Sequence, residues 1–177
     1  MTASPHEPLA HVWGGVWAGG SDDRVGAFEG VLAGVLVVGR KSRPAAARPT
    51  PVHGATGPAI ASVIRQLPPT AASFAWLADT TPSMAALLAM CERLPGHDAV
   101  IVARPVSDAV KRVDRGMVVA GVDRGGLCRP GPPLLIRAAT ARDLVAPALA
   151  AGREMIAALA ASGCSVAVME PAELDVA

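Results

Sequence analysis

The chain contains no tyrosine, only two phenylalanines and three tryptophans, and only two lysines, Lys41 and Lys111, among its 177 residues. So few aromatics offer no surface on which successive bases of a single strand could stack. A net charge of +1 gives no general attraction to nucleic acid or to an anionic membrane. Neither is therefore expected as a partner. Cysteine is scarce as well. Cys91, Cys128 and Cys164 are an odd, widely spaced set, which argues against a disulfide framework and against a zinc site. Each is expected to be a small apolar core residue. His6, His11, His53 and His97 show no metal-ligand spacing and are expected on the surface. The first residues lack the basic stretch and apolar run of a secretory signal. The longest apolar run, residues 30–39, is too short to span a bilayer and reads as a buried strand. A cytoplasmic protein is expected.

What the chain does have is aliphatic residues: hydrophobic types make up 51% of it, enough for the core of one domain over residues 1–177. Short apolar runs predict strands over 10–17, 33–38, 73–78, 98–103, 133–138 and 164–169. Between them lie segments of helical period. A short helix is predicted over 24–32. Pro58 stands where the first turn of a helix over 59–67 tolerates proline. Ser83 is placed to cap a helix whose apolar face is Met84, Leu87, Leu88, Cys91 and Leu94, with Gly96 ending it. Thr140 to Asp143 has the form of a capping box before a later helix. Pro147 is expected to kink that helix, which then continues through 153–162. Residues 39–57, rich in proline and arginine, predict a loop or linker. Strands apolar on both faces, alternating with amphipathic helices, predict an α/β fold with a mostly parallel sheet covered on both sides. Ligands are then expected where strands end, in the loops after Val38, Ala78 and Ala103.

One segment differs in character. Arg104, Lys111, Arg112, Arg115, Arg124 and Arg129 stand against Asp108, Asp114 and Asp123, so residues 104–129 carry a net +3. Val-Asp-Arg-Gly occurs twice, and each Asp-Arg-Gly is turn chemistry, with the strand-forming VVAGV between the copies. An extended arm that turns and projects from the sheet is expected over about 105–130. The adjacent Lys111 and Arg112 suit a phosphate; a solvated hairpin kept soluble by its arginines would have the same composition.

The segment Pro105-Val106-Ser107-Asp108-Ala109-Val110-Lys111-Arg112, followed by Val122-Asp123-Arg124-Gly125-Gly126-Leu127, resembles the central motifs of the 2-C-methyl-D-erythritol 4-phosphate cytidylyltransferase family of isoprenoid-precursor synthesis. A weaker likeness extends over about residues 56–170. The resemblance implies a Rossmann-like nucleotidyltransferase sheet with a protruding β-arm. It implies a homodimer interlocked through that arm, with Arg112, helped by Lys111, at the position that reaches the acceptor phosphate in the partner's site. It further implies nucleotide contacts from Ser62 and Arg24, and magnesium held by a carboxylate, for which Asp79 is the candidate.

The same comparison exposes departures. The Gly-rich phosphate loop is matched only by residues 17–24, where Asp22 and Asp23 oppose phosphate. Lys41 lies outside the context of the family's lysine. The metal-holding aspartate aligns with Ala78, and the arm threonine with Gly121. Arg153 and Glu154 stand in place of a Thr-Asp pair on the late helix. Groups that handle triphosphate and metal are altered, while scaffold and arm persist. The resulting expectation is a dimeric protein of cytidylyltransferase fold, with nucleotidyl transfer lost or weakened, that binds a nucleotide, a phosphorylated metabolite or a partner. The alternative is an active cytidylyltransferase in which Asp79, Glu154 and Arg24 replace the lost groups and magnesium is the cofactor.

Overall fold

The computed structural model describes residues 9, 11–17, 32–38, 56–78, 80 and 82–173. Their main sheet has six strands: β1 (Val12–Trp17), β2 (Gly34–Val38), β3 (Ser73–Ala78), β4 (Ala99–Pro105), β7 (Cys128–Arg137) and β8 (Val166–Met169). Between β4 and β7 the chain forms β5 (Val110–Asp114) and β6 (Met117–Val122), a separate two-stranded sheet. The spatial order of the main sheet is β2-β1-β3-β7-β4-β8. β1 runs parallel to β2 and to β3, and β4 parallel to β8; β7 opposes both of its neighbours. Four helices complete the described fold: α1 (Gly57–Ile64), α2 (Met84–Arg93), α3 (Ala138–Ala150) and α4 (Met155–Ala161). This is the predicted α/β class, a mostly parallel Rossmann-like sheet with an arm.

The central strands show why the apolar runs become strands. In β3, Phe74 and Trp76 face α1, α3 and α4 and pack with Ile64, Leu149 and Leu159. Ala75 and Leu77 face the other way, onto Leu87 and Met90 of α2. A period of two with both faces covered leaves no room for a polar face. Burying each large aliphatic side chain contributes roughly 2 kcal/mol. α2 begins as predicted, with Ser83 Oγ accepting from the Ala86 N–H at 3.1 Å, and ends before Gly96, whose φ is +83°. Its buried stripe is rotated from the expected one: Leu87 and Leu94 are buried, Met84, Leu88 and Cys91 are half-buried, and Met90, outside the stripe, is fully buried.

Elsewhere the structure corrects the expectation. β7 begins at Cys128, five positions before the predicted 133, because its ladder with β4 continues through Pro130 to the base of the arm. Pro132 and Pro133, which have no N–H to give, fall where the register shifts between Ile101↔Leu134 and Val102↔Gly131. The capping box does not form. α3 starts directly from β7, with the Ala138 N–H bonded to the Ala72 carbonyl at 2.9 Å, and Thr140 turns its hydroxyl to Asp98 Oδ1 at 3.5 Å. Pro147 is accommodated by a π-helical turn over Ala141–Val145, which makes room for the ring against the preceding turn. The helix stops after Ala150. Gly152, at φ +87°, takes the left-handed position, and α4 leaves at 116° to α3 instead of continuing it. Cys128 is exposed, not a core residue. Of the predicted short helix over 24–32 and the loop over 39–57, all but Leu32, Thr56 and Gly57 lie outside the described residues. No single described helix is long and apolar enough to cross a membrane.

Candidate functional site

β1, β3 and β4 end at one edge of the sheet, and β7, running the other way, starts there. The chain leaves this edge after Pro105 and returns at Cys128, its direct ladder partner. The arm therefore springs from the carboxyl ends of the strands, where sheets of this kind place ligands.

Three local features shape that edge. At the start of α1, a Cβ on Gly57 would lie 2.7 Å from the Leu149 carbonyl oxygen and 2.8 Å from that of Arg153. Glycine is what lets the helix begin against the backbone of the α3–α4 turn. Arg153 and Glu154 are exposed on that turn. Ser62 sits in the second turn of α1, on its exposed side, and its carbonyl accepts from Gln66 Nε2 at 3.1 Å. At the end of β3, Ala78 has φ +51°, and Leu77 O accepts both the Thr80 N–H at 2.9 Å and its hydroxyl at 2.7 Å. A left-handed alanine costs about 1–2 kcal/mol, so this tight reversal is held by its surroundings. Asp79 and Arg24 lie outside the described residues. Among the described residues no three His, Cys, Asp or Glu side chains come together as a metal site.

The arm is a hairpin closed by Arg115 (φ +44°) and Gly116 (φ +80°), a two-residue turn with both φ positive that matches the strand twist. Its register pairs Lys111 with Gly121 and Arg112 with Ala120, before a shift between Arg112 and Val113. Successive residues of a strand face opposite ways. Lys111 and Arg112, read in sequence as one phosphate site, therefore stand on opposite faces of the ribbon. On Lys111's face is an open depression of about 290 Å³, lined by Lys111, Gly121, Asp123 and Arg124 among others. The Lys111 ammonium lies 3.6 Å from where a Cβ of residue 121 would stand, so it covers the place that a larger side chain would occupy. Arg124 donates to the Ser107 carbonyl, and Asp123 Oδ1 accepts from the Gly125 N–H at 3.0 Å; both fold the second turn rather than reach outward. Neither Lys111 nor Arg112 is ion-paired among the described residues.

Sequence reading missed what surrounds these cations. Val113, Met117 and Val118 are 59%, 72% and 65% exposed, apolar side chains of the arm that no described helix covers. The signal was present: the valines of β5 and β6 fall in a stretch with no amphipathic segment of its own to cover them. Gly57 and the left-handed Ala78 left no such trace, because each is defined by a contact or torsion rather than by composition.

The sheet order, the antiparallel β7 and the arm define a Rossmann-like nucleotidyltransferase fold. Among solved structures, the chain is similar to 4-diphosphocytidyl-2C-methyl-D-erythritol synthase of Anaerococcus prevotii DSM 20548 (TM-score 0.68, 16% identity, 90% of this chain and 88% of that one). It is also similar to the 2-C-methyl-D-erythritol 4-phosphate cytidylyltransferases of Francisella tularensis (0.63, 12%, 90% of each chain) and Thermus thermophilus (0.60, 19%, 85% and 78%). No protein-family model and no curated protein sequence matches. At such identities the likeness is one of fold, and it falls on the same family that the arm motifs resemble.

Proposed function

We propose that this chain is a single-domain, divergent protein of cytidylyltransferase fold, acting in the cytoplasm as an arm-linked homodimer that binds a nucleotide or a phosphorylated small molecule, with nucleotidyl transfer lost or weakened. The observation that carries the reading is the arm. An isolated two-stranded ribbon is marginal in water, and large apolar side chains left exposed on both its faces mark a contact. Val113, Met117 and Val118 stand bare on a ribbon that also bears the unpaired Lys111 and Arg112. A second copy would cover the apolar surface and receive the cations at its own strand ends. The three free cysteines suit a reducing compartment. Ser62 and Arg24 remain the candidate nucleotide contacts and Asp79 the candidate magnesium ligand. Loss of transfer is supported by Ala78 at the aligned aspartate position and by Gly121 at that of the arm threonine.

Two measurements test this. Sedimentation should give a dimer, and CTP near 100 times its dissociation constant should add about 2.7 kcal/mol of stability. Pyrophosphate release from CTP, magnesium and 2-C-methyl-D-erythritol 4-phosphate should not exceed that of an Arg112→Ala control. The second reading, an active cytidylyltransferase of isoprenoid-precursor synthesis, is favoured by the coverage of its solved neighbours over 88–90% of their length. It requires turnover that Arg112→Ala abolishes.

A further inference from the structure

At the base of the arm the β4–β7 ladder places Arg104 directly opposite Arg129. Residues directly opposed on an antiparallel pair stand on one face with Cβ atoms about 5 Å apart, and like charges so placed destabilise the pair. Both side chains are exposed. The described counter-charge that pairs with either is Asp108, 4.0 Å from Arg129 Nη2, in a pair whose side chains are 75% and 82% exposed. Such a pair is screened and contributes little. Arg104 has no ion-pair partner among the described residues. Arg124, the other nearby guanidinium, is committed to the Ser107 carbonyl. On β4, Arg104 lies two residues beyond Val102, which packs in the cluster that α2 covers. The two guanidiniums therefore stand on the α2 side of the sheet, at the carboxyl edge of their own chain. They stand on β4 and β7, at the base of the arm, while Lys111 stands on β5 within the arm itself.

We infer that Arg104 and Arg129 form a two-guanidinium clamp for a phosphate or diphosphate group at the base of the arm. Two planar forks on one face match the oxygens of a phosphate in the bidentate manner that lysine does not reproduce. The bound anion replaces the like-charge repulsion with two charge-assisted contacts, and Asp108 competes with it for Arg129. In a chain with two lysines, this puts cationic neutralisation of phosphate onto a sheet-anchored arginine pair. The clamp needs neither the partner's arm nor turnover, so it stands or falls apart from the proposed function.

Calorimetric titration with inorganic pyrophosphate, at ionic strength held constant with sodium chloride, tests it. Arg104→Ala and Arg129→Ala should each weaken binding at least tenfold, Arg129→Lys should weaken it as well, Asp108→Asn should tighten it, and Arg93→Ala, at an exposed arginine on the last turn of α2, should leave it unchanged. Without pyrophosphate, Arg104→Ala should melt no lower than the unaltered protein, since it removes a repulsion. If it melts lower, Arg104→Gln takes its place and must show the same loss. Equal affinity in the unaltered protein and Arg104→Ala would overturn the clamp, as would equal weakening by Arg93→Ala, which would reveal general charge attraction. Displacement of bound pyrophosphate by CTP supports a clamp for a nucleotide's phosphates, and displacement by glycerol 3-phosphate supports one for a phosphorylated polyol.

Discussion

At the scale of single residues, side chains of one type meet different fates. Gly57 is required because a Cβ would strike two backbone carbonyl oxygens, neither of which can swing aside. Gly126, by contrast, faces open space. Gly57→Ala should cost about 1–3 kcal/mol in chemical denaturation, through displacement of the α3–α4 turn, while Gly126→Ala should stay within about 0.5 kcal/mol. The cysteines divide in the same way. Burial, and behind it the charge of Glu92, raises the Cys91 thiol from its ordinary 9.0 to about 11, whereas Cys128 is exposed. A thiol whose folded pKa is raised holds its proton more tightly in the native state than in the unfolded chain. Its contribution to stability is therefore intact below pH 9 and is lost as pH climbs toward 11. Cys91→Ala should flatten that part of the stability profile. Timed alkylation followed by peptide mass mapping should label Cys128 first and Cys91 last.

At the scale of elements, the arm is the part least able to stand alone. Its strands pair only with each other, its turn has the correct chirality, and exposed apolar side chains flank its tip. Val118→Asp, alone or with Met117→Asp, should convert the dimer to a monomer in sedimentation while the melting temperature of the core moves little, because both residues are mostly exposed on a two-stranded sheet separate from the main one. A dimer that survived both charges would show that the arm is not the contact. α3 makes a different point. Pro147 announced an interruption, but the break was relocated: the π turn absorbs the proline, and the true stop is Gly152. Composition identified the breaker, and the packing of α3 on α1 kept the helix continuous across it.

At the scale of the whole molecule, stability should be graded from the centre of the sheet outward. Amides of β3, β7 and β4 should exchange slowest with deuterium. Those of β5 and β6 should exchange fast in dilute protein and gain protection as concentration rises, the signature of an arm ordered by a second copy. The sequence by itself determined the strands and helices of the central core, since each apolar run or periodic stripe can bury itself in only one kind of element. It also determined the arm, because Asp-Arg-Gly turns around a valine-rich stretch leave no other form. Tertiary structure alone decided that β7 runs antiparallel, that α4 turns away from α3, and that Arg104 meets Arg129. These depend on register and direction, and a pairing register is a relation between distant segments that neither segment encodes alone.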